Sequence, residues 1–69
     1  MNTIKVKEDY IKLGQAIKAA GMVESGVEAK IVIQDGQVKV NGQVETQRGK
    51  KLVGGELVEY NGLTLKIEK

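Results

Sequence analysis

Arg48, Lys50 and Lys51 stand within four consecutive positions, the densest positive charge in the chain, shortly after an Asn41-Gly42 pair. A guanidinium can fork two hydrogen bonds onto a phosphate, whereas ammonium groups act as mobile point charges. The cluster therefore suits contact with a polyanion backbone, anchored geometrically at one point. Catalytic chemistry is poorly supplied by comparison. The 69 residues include no histidine and no cysteine, which removes the usual general base, the commonest neutral metal ligand, thiolate chemistry and disulfides. A binding protein with no enzyme activity, metal or cofactor is expected, and no small-molecule substrate.

The distribution of charge supports this reading more than its total of +2. Residues 1 to 29 carry four lysines and four acids, and residues 52 to 69 carry two lysines and three glutamates. Residues 30 to 51 hold Lys30, Lys39, Arg48, Lys50 and Lys51 against Asp35 and Glu45 alone. Such asymmetry implies a local anionic partner. A chain this short buries only about 60% of its unfolded surface, so a deep cavity would compete with the core for apolar residues. No segment has the apolar length of a secretory signal or a membrane span, so a cytoplasmic protein is expected.

Other motifs dissolve on inspection. Six residues rather than four separate Gly42 from Gly49, and Lys51 occupies the place where a phosphate loop needs Ser or Thr. Ser25 has no histidine to activate it, and its spacing to Glu28 is that of a helix cap. The acids Glu8 and Asp9 suit the start of a helix, where they favour its dipole.

Several elements must position the cations. Tyr10, Leu13, Ile17 and Ala20 fall at spacings of three and four, which predicts a helix capped by Asp9 and ended by Gly21. Gly14 within it is explained by close backbone packing. Ser25-x-x-Glu28 predicts a second helix closed by Asp35-Gly36, with Val27, Ala29, Val32 and Ile33 facing the core and Lys30 outward. A strand over Thr3 to Val6 precedes both helices. Beyond them, strands around Val38 to Val40 and Gln43 to Glu45 flank Asn41-Gly42, and strands over Leu57 to Tyr60 and Leu63 to Ile67 flank Asn61-Gly62. Asn-Gly favours the type I′ hairpin turn because both positions need positive φ. The basic segment is then expected beside a rigid ribbon. With no Trp or Phe, and with Tyr10 and Tyr60 assigned to packing, an aromatic platform for single strands is not expected.

Taken in order, Gly21, Ser25, Ala29, Val32-Ile33, Gly36, Val38, Val40-Asn41-Gly42, the basic segment and Gly55-Glu56-Leu57-Val58 resemble the S4 domain, an RNA-binding module, over about residues 10 to 60. Tyr10 to Gln15 and Arg48 to Leu52 are similar to the short free-standing bacterial members of the YaaA/YbcJ-like subfamily, in which the domain is nearly the whole protein. The resemblance implies an α+β fold of αL shape, two short helices on a small, mainly antiparallel sheet, as a single domain over residues 1 to 69. It implies binding of structured RNA, ribosomal RNA or a ribosome-assembly particle among them, where the helices meet the hairpin; a monomer is expected. The residues it points to are Lys30, Asn41, Gly42, Arg48, Lys50 and Lys51, and Lys12 is a further candidate for RNA contact. Many S4 domains have Ser-Arg where this chain has Ser25-Gly26, and that arginine commonly touches phosphate. Its loss places more of the affinity on Arg48 to Lys51. A protein adaptor for an acidic surface and a DNA-binding accessory factor are the alternative functions.

Overall fold

The computed structural model describes residues 2–69, which run through β1 (Asn2–Lys5), β2 (Ile11–Lys12), α1 (Leu13–Ala19), α2 (Gly26–Gln34), β3 (Val38–Val40), β4 (Gln43–Val44), β5 (Lys51–Leu52), β6 (Leu57–Tyr60) and β7 (Leu63–Glu68). Local signals explain most boundaries. Gly21 at φ 73° ends α1: its N–H donates to the Lys18 carbonyl and the Met22 N–H to Ile17, both at 3.0 Å. Gly36 ends α2 in the same way, with the N–H groups of Gly36 and Gln37 reaching Ile33 and Val32 at 3.1 Å. Both are Schellman closures, which require a left-handed residue. Ser25 caps α2 by accepting from the Glu28 N–H at 3.1 Å. The Glu28 carboxylate reaches back to the Glu24 N–H at 2.7 Å, one residue before the position a standard capping box uses.

The start of the first helix departs from expectation. Asp9 is not its cap: the helix begins at Leu13 with Lys12 as N-cap, and Ile11-Lys12 is instead a strand paired with Lys51-Leu52. Ile11, β-branched, pairs with the wholly buried Leu52, and the first helical N–H groups find carbonyls elsewhere, so no cap from Asp9 is required. Tyr10 consequently lies outside the helix and is 39% exposed. Val27 is also misassigned to the core. At 100° per residue it falls on the far side of α2 from Ala29, Val32 and Ile33, and it is exposed.

The main sheet has the order β1-β7-β6-β3-β4, with β1 and β7 parallel and every other pair antiparallel. Both Asn-Gly pairs make the predicted type I′ geometry, at φ 53° and 82° for Asn41 and Gly42 and 52° and 76° for Asn61 and Gly62. The two helices pack on this sheet around a core that includes Leu13, Ile17, Ile33, Val38, Val58, Leu65 and Ile67. Among the described residues, no buried side chain is polar or charged, and no helix is long and apolar enough to cross a membrane. All candidate chemistry therefore lies on the surface.

Candidate nucleic-acid interface

α1 has only seven residues, and its leading N–H groups need acceptors that its own turns cannot provide. The segment after the first hairpin supplies them. The Leu13 N–H donates to the Lys50 carbonyl at 2.8 Å, and the Gly14 N–H donates to the Arg48 carbonyl at 3.0 Å. Immediately beside this clamp, β2 and β5 pair so that Lys12 lies opposite Lys51. Main-chain bonds thus fasten the basic segment to the helix start and leave its side chains pointing outward.

An open groove of about 370 Å³ results. Lys12, Lys18 and Arg48 rim it, Gln15 borders it, and Gly14, Gly26, Ala29 and Gly49 give it small-residue walls. No acidic residue lines it. The Gln15 side chain also accepts from the Lys12 N–H at 3.2 Å, tying the rim to the helix turn. At Gly14, a Cβ would meet the Arg48 Cβ and carbonyl at 3.6 Å and the Ala29 Cβ at 4.0 Å. These are ordinary contact distances, so a Cβ would fit and close packing does not by itself demand glycine at position 14; the absence of a side chain leaves the groove open. Arginine can hold a phosphate bidentately from one wall while the lysines neutralise neighbouring charges.

The sequence-derived candidates divide in space. Lys12 and Arg48 line the groove. Lys51 is adjacent through its pairing with Lys12, and its ammonium lies 4.8 Å from the centre of the Tyr10 ring. Lys50 acts on Glu56, whose carboxylate accepts from the N–H groups of Val53 at 2.9 Å and Gly54 at 2.8 Å. Partial burial works to raise the pKa of Glu56, but those donors, its own N–H and the charge of Lys50 outweigh it and hold the pKa below the ordinary 4.5. Lys30 is exposed on α2 one turn beyond Gly26, on the flank of the groove rather than in its lining.

Asn41 and Gly42 lie elsewhere. Asn41 is occupied with the sheet: its side-chain oxygen accepts from the Leu57 N–H at 3.0 Å, and its own N–H donates to the Leu57 carbonyl at 2.8 Å. Neither residue lines the groove, because the turn closes β3 and β4 while the cations are held by α1. Lys18 and Gln15 are the polar lining residues that sequence reasoning missed. The available signal was Gly14, since a residue one helical turn later, Lys18, shares its face.

Comparison with known proteins finds the S4 domain over residues 4–68. A protein of Escherichia coli (strain K12) named "Putative RNA-binding protein YbcJ" is 41% identical over 61 residues, which cover 88% of this chain and 87% of that one. The "Probable ribosome maturation protein RlbA" of Bacillus subtilis (strain 168) is 38% identical over 61 residues, covering 88% and 86%. The solution structure of E. coli YbcJ, described as revealing an αL motif involved in RNA-binding, matches with a TM-score of 0.77 and 38% identity, over 100% of this chain and 89% of that one.

Proposed function

The chain belongs to the S4 domain family, and from that premise we propose that it is a non-catalytic binder of structured RNA. Ribosomal RNA, bare or in an assembling ribosomal particle, is the target class, and its action is therefore in the cytoplasm. The observation that carries this reading is the groove between α1 and α2, rimmed by Lys12, Lys18 and Arg48 without an acidic lining residue. Its small-residue walls admit a sugar-phosphate backbone closely, and its cations are fixed relative to one another by main-chain bonds. The names given to YbcJ and RlbA support RNA and the ribosome as the context. Lys50, Lys51 and Lys30 extend the positive surface, whereas Asn41 and Gly42 shape the sheet beside it.

A mobility-shift panel of structured RNA, single-stranded RNA and duplex DNA in one buffer tests the reading, with structured RNA expected to bind tightest. If Lys12, Lys18, Arg48 and Lys51 neutralise about four phosphates, log affinity falls against log salt with a slope of about −3. Changing Lys12, Lys18 and Arg48 together to Glu is expected to weaken binding by about a hundredfold or more, whereas reversing Lys66 and Lys69 has a much smaller effect. Salt-independent binding, or equal losses from the two sets, would overturn the groove. Failure to bind any structured RNA at about 0.1 M salt would favour an acidic protein partner instead.

A further inference from the structure

Tyr10 is displaced from the packing role that helical spacing gives it. It lies ahead of α1 and is 39% exposed, whereas Tyr60, the other aromatic residue, packs partly buried against the core. The Lys51 ammonium stands over the Tyr10 ring at 4.8 Å from its centroid. Lys51 is also directly opposite Lys12, an arrangement in which like charges repel. The ring gives one of the two ammonium groups an alternative seat.

The surroundings of the ring favour a base over a phosphate. Tyr10 borders a depression that it shares with Glu8, Asp9, Lys12 and Gln15. Carboxylates of Glu8 and Asp9 repel a phosphate there, but they do not penalise an uncharged nucleobase, which can also offer them N–H donors. The phosphate-binding groove begins at the same Lys12 and Gln15, which line both depressions. A backbone lying in the groove therefore passes beside the ring.

We infer that Tyr10 is a stacking seat for an unpaired nucleobase of the bound RNA, and that Lys51 leaves the ring for a neighbouring phosphate when the base arrives. The inference rests on the RNA-binding reading above and narrows its target. The ligand is structured RNA with a bulged or looped base next to the contacted backbone, and an uninterrupted duplex is a poorer match.

The test uses a short stem-loop RNA with one bulged adenosine and the same RNA with an abasic residue at the bulge. The wild-type protein is expected to bind the base-bearing RNA about fivefold or more tightly than the abasic one, the lower end of stacking on an aromatic side chain. Tyr10→Phe keeps that difference, and Tyr10→Leu erases it without altering the salt slope. In a Tyr60→Phe background Tyr10 is the sole phenol, and its fluorescence is quenched by the base-bearing RNA more than by the abasic one. The wild-type comparison and the quenching decide the matter even if Tyr10→Leu folds poorly. Equal binding of the two RNAs with equal quenching would reduce the ring to a clip for Lys51 and overturn the inference while leaving RNA binding intact. Failure to bind either RNA would overturn both.

Discussion

In the main sheet, Lys39 on β3 stands opposite Glu59 on β6; in the small one, Lys12 on β2 stands opposite Lys51 on β5. Both are antiparallel pairs, but the first joins opposite charges and the second like charges. Such pairs stabilise or destabilise a ladder by about 0.2–1 kcal/mol. At the sheet end, then, a cation stands across the ladder from an acid. At the helix end, the carbonyls of Arg48 and Lys50 hold the basic segment against α1 through hydrogen bonds from Gly14 and Leu13, and those bonds keep like charges together. The positive potential left over belongs to the region whose backbone is needed to cap a helix, and a polyanion can use it.

Alanine substitutions are the most direct way to break this contrast. Lys12→Ala and Lys51→Ala are each expected to weaken binding of structured RNA about tenfold, whereas Lys39→Ala leaves it unchanged. Stability should show the opposite ordering. A double-mutant cycle on Lys12 and Lys51, read by denaturant unfolding, is expected to give a repulsive coupling, and one on Lys39 and Glu59 an attractive coupling, each about 0.2–1 kcal/mol. Couplings of the same sign would remove the distinction between the two ends.

A smaller effect comes from adding charge to the helix end. A Cβ at Gly26 meets nothing within 4 Å, and Gly26 lines the groove. Gly26→Arg is therefore expected to tighten RNA binding about threefold and to steepen the salt slope by about 0.7–0.9, one further phosphate. A cation in the first turn of α2 opposes the helix dipole, so the folded state loses about 0.3–1 kcal/mol. Unchanged affinity and slope in a folded variant would place the RNA backbone away from α2.

The two ends also differed in how legible they were from sequence. The sheet end was written in local signals: Asn41-Gly42 and Asn61-Gly62 require positive φ, and alternating apolar residues on either side fix the strands. The end of α1 and both ends of α2 were legible for the same reason, since Gly21, Ser25 and Gly36 act on groups within a few residues, whereas the start of α1 was not. The pairing of Ile11-Lys12 with Lys51-Leu52 was not. Two-residue strands far apart in the chain have no periodicity to reveal them, and the Tyr10 spacing mimicked a longer helix. The basic residues stand out in the sequence, but their nearness along the chain to Asn41-Gly42 is not nearness in space. The chain instead turns through residues 45 to 50, with the Gln47 N–H on the Glu45 carboxylate at 3.2 Å and the Lys50 N–H on the Gln47 carbonyl at 3.1 Å. That turn delivers Arg48 to the helices, where Lys18 already waited.

The smallest expected effect concerns Glu56, which joins the two ends. Its carboxylate organises the turn after β5 through Val53 and Gly54, while the Gly55 N–H reaches the Ile67 carbonyl at 2.7 Å and the Ile67 N–H reaches the Glu56 carbonyl at 2.9 Å. Because its folded pKa is lowered from 4.5, the ionised carboxylate stabilises the fold fully above the unfolded value, and that contribution is lost as pH falls through the lower, folded value. Glu56→Gln keeps the size but removes the titration and one of the two oxygens that accept from Val53 and Gly54. The melting temperature of the wild type is expected to exceed that of Glu56→Gln near neutral pH, and the gap to narrow as the pH is taken below about 4.5. Lys50→Gln should reduce the neutral-pH gap, since the Lys50 charge is one of the influences holding the carboxylate ionised. A gap that stays constant from neutral to acid pH would mean that Glu56 acts through its hydrogen bonds alone, with no electrostatic tie between the basic segment and the sheet.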